Sequence, residues 1–175
     1  MRHTMAVLGY IFAASLFDGA RAPGTSGAPT PIATSSSSTR TIPMHARGTF
    51  EVQITPLPAD AYTDAATLGR MTIDKQFSGD LVATGKGQML TGMSAVKGSA
   101  AYSAIERVTG TLAGRHGTFL LQHTGIMTRG AQSLVITIVP DSGTDGLTGI
   151  SGALAIIIEG KLHSYDLEYT LPDAH

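Results

Sequence analysis

The sequence has no cysteine and no tryptophan, and it contains no asparagine either. Without a thiol there is no disulfide, no iron–sulfur cluster and no cysteine nucleophile. Without asparagine, the turns fall to aspartate and to glycine, which occurs 21 times. Charge is sparse too: charged residues make up 14% of the chain and the formal net charge is −1. Lysine and arginine stand singly, with no basic field, so nucleic acid is not expected as a partner. The longest early apolar stretch, Met5 to Phe17, is too short to span a bilayer as a stable helix, so no membrane span is expected in the mature protein. No segment holds a helical period beyond about two turns.

What is present divides into three parts. Residues 1–22 have the layout of a secretory signal: Arg2 and His3, an apolar run, then small residues ending at Ala20-Arg21-Ala22. Residues 23–43 are almost wholly Pro, Gly, Ser, Thr and Ala, too poor in apolar surface to offset the entropy of ordering them, and read as a linker. Residues 44–175 carry the folded pattern. On this reading the protein is periplasmic or secreted; if translation starts at Met44 instead, it is cytoplasmic. A chain of 175 residues with 42% hydrophobic content suffices for one domain with a sizeable core.

From Gly48 the apolar residues alternate with period two. Phe50, Val52 and Ile54 point one way until Pro56 and Pro58 end the run. After a loop over Asp60 to Ala66, further strands are expected at Leu68 to Lys75 and Gly79 to Leu90, the latter with Gly85 and Gly87 as sites for a bend or bulge. The next begins near Ala100, and Met93 to Lys97 is a candidate for separate pairing. The run Leu134 to Val139 predicts a strand buried on both faces. Leu147 to Ile158 and Leu162 to Leu171 predict a last hairpin around Glu159-Gly160-Lys161. About eight antiparallel strands with glycine turns imply an all-β protein, and closure into a barrel removes the edges that such strands would expose.

The stretch Tyr102 to Gly125 organises this pattern as two long strands around a break at Ala113 to Gly117. Setting Leu112 opposite Thr118 would place Arg107 across from His123 and Val108 across from Gln122. Adjacent positions on a strand face opposite ways, so either Arg107 and His123 or Glu106 and Gln122 point inward. The first pair could orient an anionic or enolisable ligand, and the second could supply a carboxylate base held by an amide. Either set could equally be an ordinary cross-strand pair. Arg107 with His123 is the favoured choice, and Phe119 and Leu121 are the expected apolar wall of the same cavity.

Other motifs carry less. Arg115 and His116 lie in the turn, where charged residues usually face water. Asp141, Gly143 and Asp145 resemble the start of a calcium loop without its closing glutamate. The six histidines show no metal-ligand spacing, so no metal site is expected. Gly143 to Gly152 precedes a strand rather than a helix, so it forms no nucleotide-binding turn, and no cofactor is expected. Met71, Met89, Met93 and Met127 could line a pliable pocket or simply fill the core.

Four stretches together, IDKQFSGDL at 73–81, YSAIERVTGTLAGRHGTFLLQHTG at 102–125, VPDSGTDGLTGISG at 139–152 and YDLEYTL at 165–171, resemble the bacterial domain-of-unknown-function family 3224 over about Met44 to Pro172. That family is similar to the allene oxide cyclase barrel, a small antiparallel barrel with an apolar lumen. The resemblance implies the eight-strand fold and brings no established activity. Two functions follow as expectations: a barrel binding one apolar or amphipathic small molecule, or a cofactor-free cyclase or isomerase. A homo-oligomer is the other partnership considered.

Overall fold

The computed structural model describes residues 42–58 and 67–172. The signal reading over 1–22, nearly all of the linker and the loop over 60–66 lie outside the described residues. Eight antiparallel strands close into one barrel in sequence order. They are β1 (Met44–Pro56), β2 (Leu68–Gly79), β3 (Leu81–Met93), β4 (Ala100–Leu112), β5 (Arg115–Thr128), β6 (Ala131–Ile138), β7 (Ser151–Glu159) and β8 (Leu162–Thr170). Alternation is what makes the wall: one face of each strand packs inward and the other meets solvent. β4 and β5 run almost perfectly buried–exposed along their length.

Three expectations need correcting. β6 is buried on one face only: Ile136 and Ile138 point inward, while Val135 is 57% exposed on the outer wall. Its continuous apolar run reflects β-branched residues suited to any strand, not burial on both sides. Met93 ends β3 and the following residues form a loop, so the eighth strand owes nothing to a separate pairing there. β7 starts at Ser151 rather than Leu147, because Asp145–Leu147 winds into one 3-10 turn first.

That connection between β6 and β7 closes one end of the barrel. It is seated on β5 by hydrogen bonds from Thr144 N to Thr118 O at 2.9 Å and from Leu120 N to Ser142 Oγ at 3.0 Å. Its Leu147 and Ile150, 1% and 2% exposed, fill the end together with Leu81 and Leu112. Beside them Tyr165 is buried edge-on to Phe77, their ring centroids 5.5 Å apart. Its hydroxyl accepts from Leu81 N at 2.9 Å and donates to Ser78 O. A second, smaller apolar cluster of Ile73, Met89, Tyr102 and Ala104 lies toward the other end.

The β4–β5 hairpin turns through Ala113 and Gly114 alone, both at positive φ (50° and 76°). That is the primed two-residue turn that matches strand twist. Leu112 therefore faces Arg115 rather than Thr118, a shift of three residues from the expected register. An odd shift reverses which residues share a face. Val108 pairs with Phe119, Glu106 with Leu121, and Ala104 with His123.

Candidate functional site

The reversed parity brings Glu106 and His123 to the interior together and turns Arg107 and Gln122 out to solvent. Each expected polar pair is thus split, one member inside and one outside. Phe119 and Leu121 are inside at 1% and 0% exposure, packed in the larger cluster at the closed end.

The interior carries one polar layer, and its third member is Lys75. On β2 Lys75 stands between Phe77 of one apolar cluster and Ile73 of the other; on β4 Glu106 stands between Val108 and Ala104 in the same way. Lys75 Nζ donates to Glu106 Oε2 at 2.7 Å. His123 Nε2 lies 3.0 Å from the same oxygen, close enough to act on its charge but too poorly aligned to satisfy the ring nitrogen. The ammonium also sits over two ring faces, 5.2 Å from the centre of Phe50 and 5.6 Å from that of Phe77. Those rings and the carboxylate are what a buried cation needs in place of water.

Room for the carboxylate comes from β3. Gly85 is placed so that a Cβ there would collide with Glu106 Oε1 and press on the Phe77 ring. β3 runs through Gly85 and Gly87 without a bulge, in continuous register with β2 and β4. These glycines leave space rather than bend the strand. Oε1 itself has no hydrogen-bond partner among the described residues.

Burial alone would raise the Glu106 pKa, but His123 and the Lys75 charge outweigh it and hold the carboxyl below its ordinary value. Burial lowers His123, helped by the nearby ammonium and opposed by Glu106, so the ring is neutral at pH 7. Burial, and after it the Glu106 charge, push the Tyr102 phenol up, leaving it a neutral hydroxyl.

Both lowered values act on stability with the same sign. A folded pKa below the unfolded one means the unfolded chain takes up protons first, so stability is lost as pH falls. The loss begins below the ordinary histidine value of 6.5 and gains a second part below the ordinary glutamate value of 4.5. The melting temperature should hold from about pH 6.5 up to the ordinary tyrosine value of 10.0, above which the raised Tyr102 costs stability, and should decline on acidification below about 6.5. His123→Leu should lose the upper part of the decline and keep the lower, and a melting temperature that rises with acid would contradict the assignment.

On the far side of the polar layer from the closed end, the lumen holds a pocket of about 20 Å³, room for roughly one water molecule. Lys75 and His123 form its polar floor with Tyr102; Val52, Ile54, Ile73, Met89, Ile156 and Ile158 form its apolar walls. His163 stacks on Phe50 at the rim, 5.3 Å between ring centres. Of the methionines, Met89 lines the pocket, Met71 packs half-buried against the smaller cluster, Met127 is half-buried and Met93 is 53% exposed. Arg115 opens β5 and donates from Nη1 to Pro172 O at 2.7 Å, tying the chain end to the closed side.

Residues 46–169, all but the outermost ends of the barrel and with this polar layer inside, match the family described as protein of unknown function DUF3224. The chain belongs to that family. Among solved structures, this DUF3224 chain is similar to the crystal structure of a DUF3224 protein of unknown function from Shewanella oneidensis MR-1. The two share 46% identity with a TM-score of 0.70, over 76% of this chain and 100% of that one. A search of curated proteins gave no match.

Lys75, Tyr102 and His163 were not singled out from the sequence. For Lys75 the signal was there: Met71, Ile73, Lys75 and Phe77 follow one another at period two, so a lysine sits in the middle of an inward-facing row.

Proposed function

We propose that this DUF3224 barrel binds one slender, mostly apolar molecule, which enters at the open end and sets a polar head against Lys75 and His123. One observation carries the reading. A charged pair and an imidazole are buried in an apolar lumen with Glu106 Oε1 and His123 Nε2 left without aligned hydrogen bonds. Buried charge is costly and an apolar layer of equal volume would be as stable, so such a layer is suited to a role in recognition. The apolar walls favour a chain or ring system, and the small floor admits only a small head. Met89 and the isoleucines provide side chains that can shift to widen the passage.

Native mass spectrometry of the protein purified from its own source tests this. A retained small molecule is expected. Ile158→Trp, which fills the rim, and the double change Lys75→Met with Glu106→Leu, which removes the charge and keeps the volume, should both abolish retention. Arg107→Met, on the outer wall, should leave it unchanged. Equal occupancy in all of these variants would refute lumenal binding.

A second reading, a cofactor-free cyclase or isomerase, is favoured by the neutral His123 at the pocket floor, which could accept a proton from a bound substrate. Conversion of the retained compound when it is identified and supplied back to the protein, lost in His123→Leu, would select it over simple binding.

A further inference from the structure

We infer that Lys75 is a covalent site for small aldehydes, forming an imine through its side-chain nitrogen. The inference rests on the binding reading above, since the aldehyde would enter by the same pocket.

The sequence has four lysines, and Lys86, Lys97 and Lys161 are exposed on the outside. Lys75 alone is buried, 5% exposed at the side chain, and it lines the pocket floor beside His123. Its 2.7 Å hydrogen bond to Glu106 Oε2 gives the ammonium a base to which it can lend a proton. His123, 3.0 Å from that same oxygen, lines the pocket and needs only to come into line with the carboxylate to pass a proton between the two. An amine nucleophile, an acid–base group and a relay are the three groups that carbonyl condensation uses.

Lys75 passes one proton to Glu106, and the freed amine forms a bond from Nζ to the carbonyl carbon while the carbonyl pair moves to oxygen. His123 carries a second proton from Nζ to that oxygen, giving the carbinolamine. The proton held on Glu106 returns through His123 to the hydroxyl, the C–O bond breaks, and water leaves as the nitrogen pair closes C=N. Aldehyde plus ammonium has become protonated imine plus one water, with the charge unchanged. The product cation stays where the ammonium was, against the Glu106 carboxylate and the faces of Phe50 and Phe77. A site built to hold a cation at Nζ therefore holds the product as well as the starting lysine.

The test uses the whole protein, propanal and cyanoborohydride, which reduces protonated imines to stable amines, with peptide mapping of all four lysines. Lys75 should be alkylated first, roughly tenfold faster than Lys86, Lys97 or Lys161, because the reacting groups are already in place. His123→Gln should fold and lose most of that preference, Lys75→Arg should remove the fast phase, and unfolding in urea should make the surviving lysines equivalent. Equal or slower labelling of Lys75 in the folded protein overturns the inference. If Lys75 stays unlabelled while native mass spectrometry shows a retained ligand, the covalent role fails and binding stands. If Lys75 labels fast while no compound is ever retained, the covalent role stands and the non-covalent reading fails.

Discussion

Replacing Glu106 by leucine should destabilise the barrel by about 3 to 5 kcal/mol, because it leaves the Lys75 ammonium buried without its counter-charge. Glu106 is fully buried and Lys75 is 8% exposed, so neither can turn to solvent without moving a strand. The ring faces of Phe50 and Phe77 compensate only in part, since a cation over an aromatic ring recovers about 2 kcal/mol when desolvated. Adding Lys75→Met to Glu106→Leu removes the stranded charge, and most of the lost stability should return, because an apolar pair of similar volume is as stable as a buried ion pair. Urea denaturation of the single and double variants measures this. A double variant no more stable than the single one would show that the layer stabilises the fold by more than charge pairing.

Phe119→Ala should cost about 3 to 5 kcal/mol by opening a cavity in a packed core. Phe119 is 1% exposed, pairs with Val108 across the hairpin and belongs to the cluster that fills the closed end. Little around it can collapse into the space, because Leu147 and Ile150 beneath are held by the hydrogen bonds that seat their segment on β5. The urea midpoint should fall without a change in slope. A midpoint near that of the parent would mean that the end of the barrel is loosely packed.

How far the sequence discloses this arrangement depends on which feature is asked for. Alternation in Phe50, Val52 and Ile54, and in Tyr102, Ala104, Glu106 and Val108, is strong enough to announce strands and a closed barrel, because each residue's face follows from a period of two. The partners of those faces are another matter. They hang on the β4–β5 turn, where Ala113 adopts the positive φ that glycine would more readily take. With Gly114 and Gly117 both available, a longer break reads equally well, and an error of an odd number of residues exchanges Arg107 for Glu106. The strand that carries Lys75 gave the clearer warning, a cation in a row of apolar residues. Gly85 shows what no single strand discloses: its lack of a side chain makes sense only once Glu106, on the neighbouring strand, is known to point at it.

With Leu81, Leu112, Leu147 and Ile150 packed across one side, the described residues leave no passage through that end of the barrel. On the binding proposal, an occupant at Lys75 would leave by the route it took, head group last. Exchange of one occupant for the next would then be strictly sequential, each molecule waiting for its predecessor to leave, so a crowded supply of ligand could not hasten release by pushing from behind.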